Sequence, residues 1–257
     1  MVETTEHTVV LPDLPDSVNG LRIAHLTDLH RSRMTHDRVL RHAVSLANAG
    51  RPDLVVITGD FVTNSAGDIE PCVRILSALR SRLGVYAILG NHDYATDAHA
   101  IEHALGRHNI HLLKNRHETL PNGLRLVGLD DDLTGRTDVV RAFEGVDKED
   151  FALTLIHNPG IADLISDRNC LVLAGHTHGG QMRVPLVTAW AVRRIGAKHY
   201  RSGWYQVGRA RLYVNRGLGR VGIPVRFLSR PELAMFTLLK GTPVELRRHA
   251  HGVARSH

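Results

Sequence analysis

The sequence predicts an α/β protein with a mainly parallel sheet, and three observations carry that reading. Short runs rich in Val, Ile and Leu (Leu21–Leu26, Leu54–Ile57, Val85–Leu89, Ala152–Ile156 and Leu171–Ala174) are bounded by Gly or Asp, as buried strands are. Segments of helical period separate the first three runs, and a βαβαβα order favours right-handed crossovers between parallel strands. A motif carrying Asp, His or Asn also lies just after each of the five runs, so five strand ends could deliver such side chains to one edge of a sheet.

Taken in order, the first strand, Leu21–Leu26, leads to a helix over Thr35–Asn48 and a second strand, Leu54–Ile57. The next helix spans Ile69–Arg82, where Ile69, Cys72, Val73, Leu76 and Leu79 recur at the three-and-four spacing of an apolar face. Val85–Leu89 follows, then a helix over Ala95–Arg107. After Ile110 the pattern shifts to short strands, His111–Leu113, His117–Leu120 and Leu124–Leu129, and Asn122-Gly123 marks a hairpin turn between the last two. A short helical stretch, Gly160–Ser166, sits between the strands Ala152–Ile156 and Leu171–Ala174. Arg211–Val214, Leu233–Leu239 and Val244–Arg247 read as closing strands. Neither repeats nor a low-complexity linker interrupt the chain, so residues 1–245 are expected to form one domain. Residues 246–257, poor in apolar side chains, are expected to be a disordered tail whose histidines belong to no site.

Composition agrees with a globular enzyme of 257 residues, 43% hydrophobic and 23% charged. No apolar run approaches the ~18 residues of a membrane span. Met1–Glu6 has neither a basic start nor an apolar core, so a cytoplasmic location is expected. Cys72 and Cys170 are too few for a disulfide framework and read as small buried hydrophobes.

The chemistry lies in the strand-end motifs: Asp28-Leu29-His30, Gly59-Asp60, Gly90-Asn91-His92-Asp93, His157-Asn158 and Gly175-His176-Thr177-His178-Gly179-Gly180-Gln181. Asp-Leu-His and Gly-Asp alone are ordinary turn chemistry. Two histidines at i and i+2 among glycines serve little packing purpose, and the ordered set of five leaves the bland reading behind. Carboxylate oxygen and neutral imidazole together suit divalent ions such as Mn, Fe and Zn, and the absence of Cys argues against a structural zinc site. Asp60 is the candidate bridge in a pair of ions about 3.5–4 Å apart.

These motifs resemble those of the calcineurin-like metallophosphoesterases over roughly residues 20–240, every element being present. The GHTHGGQ form, Asn215–Gly219, Arg230-Pro231-Glu232 and the lead-in Leu11–Pro15 resemble one bacterial branch. That branch includes membrane-associated phosphodiesterases and UDP-diacylglucosamine pyrophosphatase-like enzymes. The resemblance implies a four-layer α/β/β/α sandwich with two stacked mixed sheets and metals at the strand-end rim. It implies that Asp28, His30, Asp60 and His178 hold one divalent ion, and Asp60, Asn91, His157 and His176 the other. His92 would serve the leaving group and Asp93 would orient His92. A water shared by the two ions, deprotonated near neutral pH, would attack a phosphodiester or pyrophosphate in line. A phosphomonoesterase, a nuclease or a non-catalytic scaffold of the same fold are the alternatives.

Charge adds a second theme. Net charge is +6, and between Arg183 and Arg230 eleven Arg or Lys residues are interleaved with Trp190, Tyr200, Trp204 and Tyr205, without an acidic residue until Glu232. This cap-like segment, about residues 183–230, reads as a solvated basic loop or as a cap for a phosphorylated or lipid-linked substrate beside an anionic membrane. Pro185–Arg194 could form a short interfacial helix. Nucleic acid ranks lower because no recognised module accompanies the charge. Arg31 and Arg33, directly after His30, are separate candidates for phosphate contact.

Overall fold

A computed structural model describes residues 1–133, 136–180, 200–222, 226–227 and 229–242. Twelve strands among these residues form two six-stranded sheets. The first has the order β1(Glu3–Leu11), β12(Glu232–Lys240), β2(Arg22–Leu26), β3(Leu54–Thr58), β4(Val85–Ile88), β5(Ile110–Leu112). The second has the order β10(Gly203–Val207), β11(Ala210–Val214), β9(Cys170–Ala174), β8(Ala152–Leu155), β7(Arg125–Gly128), β6(Arg116–Thr119). Pairing is parallel except at β12–β2, β10–β11 and β6–β7, so both sheets are mixed.

Three apolar clusters define four layers. Ile23, Leu54, Val56 and Ile88 of the first sheet meet Leu126, Leu153, Leu155, Leu171 and Leu173 of the second. The opposite face of the first sheet packs on α1(Asp37–Ala49), α2(Ile69–Leu76) and α4(Ala98–Arg107). The opposite face of the second sheet is covered by α5(Val139–Ala142) and a 3-10 helix, Pro159–Ile165. The central strands are buried on both faces, which explains their continuous rather than alternating apolar sequence.

The α/β/β/α expectation is met, with differences at element ends. The helix expected over Ile69–Arg82 stops at Leu76. Asn48, near the end of α1, accepts from the Arg80 amide at 2.8 Å and donates to the Ala78 carbonyl at 2.8 Å, diverting main-chain groups that a longer helix would need. The helix expected over Ala95–Arg107 is two: α3(Asn91–Thr96) and α4. They break at Asp97, whose extended backbone places its carboxylate on the Ala100 amide at 2.9 Å. The stretch expected at Gly160–Ser166 is the 3-10 helix. Strands β1 and β10 lie at sheet edges and were not expected, because only alternate residues face the interior and the polar ones mask the pattern. β10 and β11 make an antiparallel hairpin from Gly203–Val214, so that part of the basic segment belongs to the second sheet. Pro185–Arg194, Val244–Arg247 and the tail lie outside the described residues.

Candidate metal centre

Parallel pairing explains how distant motifs meet. β2, β3 and β4 run side by side and end in Asp28–His30, Asp60 and Asn91–His92, while β8 and β9 of the facing sheet end in His157 and His176–His178. The backbone turns sharply at these ends: Asp28, His30, Asp60, His176 and His178 all have positive φ, between 43° and 69°. Left-handed backbone at a side-chain-bearing residue costs of order 1–3 kcal/mol and persists where surrounding contacts dictate it. Those contacts are visible. The His176 amide donates to both oxygens of Asp28 at 3.0 and 2.9 Å, and the His30 amide donates to the Asp60 carbonyl at 3.0 Å.

Two glycines allow the loops to close. A Cβ on Gly90 would stand 2.3 Å from Asp60 Oδ1, and one on Gly175 would stand 2.0 Å from Thr27 Oγ1. The Asn215–Gly219 segment supports the same loop from the other side. Leu218 and Gly219 donate to the carbonyls of Thr27 and Asp28 at 3.1 and 2.6 Å.

The side chains converge into two outer groups, Asp28–His30–His178 and Asp60–His157–His176, with Asp60 Oδ2 within 3.2 Å of His30 in the one and of His157 in the other. Around the first, His30 Nε2 lies 3.1 Å from His178 Nε2 and 3.2 Å from Asp60 Oδ2, and His178 Nε2 lies 3.4 Å from Asp28 Oδ1. Around the second, His157 Nε2 lies 3.2 Å from both Asp60 Oδ2 and His176 Nδ1. Bonds of about 2.1 Å to one ion place neighbouring ligand atoms roughly 3.0–3.4 Å apart, so the spacing fits a divalent cation in each group. Asn91 Oδ1 is buried with no hydrogen-bond partner, and an ion in the second group would satisfy it.

Electrostatics fit the same use. Burial alone would raise the Asp60 carboxyl, but His157 and His30 hold it well below the ordinary range. Burial, then the neighbouring His30 and Arg226, push His178 well down, which keeps its imidazole neutral. Burial would lower His157, but Asp60 and then Asp28 hold it well above the ordinary imidazole range. Its Nδ1–H therefore donates to the Thr58 carbonyl at 2.7 Å and its Nε2–H faces Asp60 Oδ2 at 3.2 Å, where a bound ion would replace that proton.

All seven expected ligands, Asp28, His30, Asp60, Asn91, His157, His176 and His178, lie in this rim. His92, expected to stay outside the ligand set, forms a third group with His30 and Asp60 close enough to hold an ion. Its ring is in edge contact with His30 at 4.9 Å between centroids, and its amide donates to Asp60 Oδ1 at 3.0 Å. Asp93 differs from its expected role. Its carboxylate accepts from the amides of Asp60, Phe61 and Gly90, at 2.8, 2.8 and 2.9 Å, and so ties two ligand loops together. His92 Nδ1 is instead held by the Thr63 carbonyl at 2.8 Å, a main-chain partner that leaves no residue-type signal. Arg31 is also differently engaged: its guanidinium pairs with Asp37 at 3.0 Å and with Asp68, while Arg33 is exposed. The expected cap-like segment contributes Arg226, whose Nη2 meets His178 Nδ1 at 3.1 Å. Its Glu232 boundary is likewise buried: burial would raise this carboxyl, but hydrogen bonds from Arg216, Thr5 and Tyr213 bring it down to about 2. No described helix is long and apolar enough to cross a membrane.

Comparison with known proteins gives the same answer. The calcineurin-like phosphoesterase family model matches residues 21–181. The chain is 33% identical to the uncharacterized metallophosphoesterase YkuE of Bacillus subtilis, over 93% of this chain and 86% of that one. It is 32% identical to phosphodiesterase YaeI of Escherichia coli, covering 87% and 84%. It is 28% identical to UDP-2,3-diacylglucosamine pyrophosphatase LpxG of Chlamydia trachomatis, covering 89% and 87%. Several other curated relatives are longer, and the chain spans 54–64% of their length. The sulfate thiohydrolase SoxB structure from Thermus thermophilus superposes with TM-score 0.50 at 13% identity, covering 93% of this chain and 61% of that one, a likeness of fold alone. Ordered motifs, converging ligands and matched sequence agree that this chain belongs to the calcineurin-like phosphoesterase family, a family of metal-dependent phosphoesterases.

Proposed function

We propose that the chain hydrolyses a phosphodiester or pyrophosphate bond at a dinuclear centre. The observation that carries the reading is the run of three overlapping groups able to hold an ion, Asp28–His30–His178, His30–Asp60–His92 and Asp60–His157–His176, of which the two outer ones would each take an ion. Asp28, His30, Asp60 and His178 would hold one divalent ion, and Asp60, Asn91, His157 and His176 the other. Mn, Fe, Zn, Mg or Co could serve. Such ions, when bound, supply an acidified water as nucleophile and Lewis-acid polarisation of a phosphoryl oxygen.

The chain's own residues do the rest. Asp60 neutralises charge on both sides of the centre. The Thr63 carbonyl only accepts, so it fixes the proton of His92 on Nδ1 and leaves Nε2 to exchange a proton with the leaving oxygen. Asp93 keeps the Asp60 and Gly90 loops in register, so that the bridging carboxylate and His92 stay together. The preference for a diester or pyrophosphate rests on YaeI and LpxG, whose names describe those two bonds. A phosphorylated small molecule or lipid-linked compound is the proposed substrate class, with the basic, partly aromatic segment beside an anionic membrane surface.

The test is an assay of chelated, metal-reconstituted protein across Mn, Fe, Zn, Co and Mg, comparing bis-p-nitrophenyl phosphate with p-nitrophenyl phosphate. Asp60→Asn, expected to lose turnover and weaken both ions, is the control. Metal-restored diester cleavage absent from the control is the expected result. Cleavage of the monoester alone would overturn the bond assignment, and an active Asp60→Asn would overturn the bridge.

A further inference from the structure

His157 and His178 are expected ligands from opposite sides of Asp60, and their far nitrogens meet opposite partners. His157 Nδ1 donates to a carbonyl, an arrangement that raises the basicity of a ligating imidazole. His178 Nδ1 faces Arg226 Nη2 at 3.1 Å, and a guanidinium has donors and no acceptor. Arg226 therefore favours the tautomer with the ring proton on Nε2, the atom that faces the ligand group. A ligating His178 would carry its proton on Nδ1, donor against donor with the guanidinium and beside its positive charge.

The position of this cation is fixed by its other bonds. Nε donates to the Gly219 carbonyl at 2.9 Å, Nη1 to the carbonyls of Arg216 and Ser229 at 2.8 and 3.4 Å, and Nη2 also to Gly219. With the His178 contact, all five guanidinium N–H groups face an acceptor in this structure. Ser229 adds a bond from its hydroxyl to the His178 carbonyl at 2.7 Å, locking the same junction. Two of the clamped carbonyls, Arg216 and Gly219, belong to the loop that holds Thr27 and Asp28. Arg226 is partly buried, where the field of a fixed charge is less screened than at the surface.

A fixed cation behind a ligand acts with opposite sign on the two kinds of guest. It repels a divalent cation held by His178 and attracts the anion bound next to that cation. We propose that Arg226 is a positioning residue of the metal centre that loosens the His178 subsite toward divalent ions and tightens the loaded centre toward phosphoryl anions. The inference rests on the dinuclear reading above and extends it to an unequal pair: one subsite backed by a carbonyl, the other by a guanidinium.

Binding measurements test this without turnover. Chelated wild type, Arg226→Gln, Arg226→Met and Arg226→Lys would be titrated with Mn2+ against a competing chelator, then the Mn-loaded proteins with inorganic phosphate by calorimetry. In the neutral variants the weaker Mn2+ step should tighten about tenfold while phosphate weakens by a similar factor, the scale of partner effects on metal ligands. Arg226→Lys should stay near wild type in both. A neutral variant that binds Mn2+ more weakly, or equally with phosphate unchanged, would overturn the proposal in favour of a simple loop clamp. So would loss of a cooperative thermal transition in both neutral variants. A single Mn2+ per chain in wild type would instead remove the dinuclear reading itself.

Discussion

Asp93→Asn separates two roles that a buried carboxylate beside His92 could have. An orienting partner of His92 would, when neutralised, move the pH profile of turnover and leave stability unchanged. The structure gives its oxygens to main-chain amides: Oδ2 takes Asp60 and Gly90, and Oδ1 takes Phe61. An amide side chain can keep its carbonyl oxygen toward Asp60 and Gly90, but its NH2 then faces the Phe61 N–H, donor to donor. One buried N–H is left unsatisfied, a cost of about 1–3 kcal/mol. A domain of this size loses roughly 2–4 °C of Tm per kcal/mol, so Tm should fall by about 2–12 °C. Asp93→Ala strands all three amides, about 3–9 kcal/mol, which approaches the roughly 5–15 kcal/mol that stabilises a whole domain. Calorimetric melting of chelated protein removes the contribution of bound metal, and turnover against pH on reloaded protein supplies the second readout. An unchanged Tm together with a displaced pH profile would refute the bracing role and restore the orienting one.

Other perturbations follow from the same geometry. His92→Ala should lower kcat by about 10²–10⁴-fold with two ions per chain retained, checked by metal analysis beside kinetics; loss of an ion would move His92 into the ligand set. Gly90→Ala places a Cβ 2.3 Å from Asp60 Oδ1 and 2.7 Å from His157 Cε1, so metal content should fall in a chain that still folds. Unaltered content would mean that the loop relaxes freely. Burial pushes His25 down to about 3, against the charge of Glu232, so the folded form stays neutral while the unfolded chain protonates near the ordinary 6.5. Its stabilisation is therefore complete above pH 6.5 and is lost as pH falls toward 3, about 2 kcal/mol of it between pH 7 and 5. In metal-free protein, His25→Gln should reduce that loss, read from denaturant unfolding at both pH values; identical losses in both proteins would rule His25 out.

The strands that end at the rim, the candidate metal-binding side chains and the family can be read from residue order alone. Continuous Val/Ile/Leu runs suit strands buried on both faces, as β3 and β9 are, and Asp, His and Asn placed after such runs emerge together once the strands pair in parallel. Asp28, His30, Asp60, Asn91, His157, His176 and His178 were legible for that reason. Edge strands β1 and β10 were not, because half their residues face water and their register depends on a partner. The hydrogen-bond partners of these side chains come only from the fold. The Thr63 carbonyl behind His92 and the Thr58 carbonyl behind His157 are main-chain atoms that every residue carries. Asp93 looked like a companion of its neighbour His92, yet the first turn of α3 aims its carboxylate at the amides of a loop some thirty residues earlier. Arg226 was one arginine among many in a basic segment until the fold put its guanidinium against His178. Residue type and spacing record what a side chain can do; which atom it meets is set by chain segments far away in sequence, and those meet only in the folded protein.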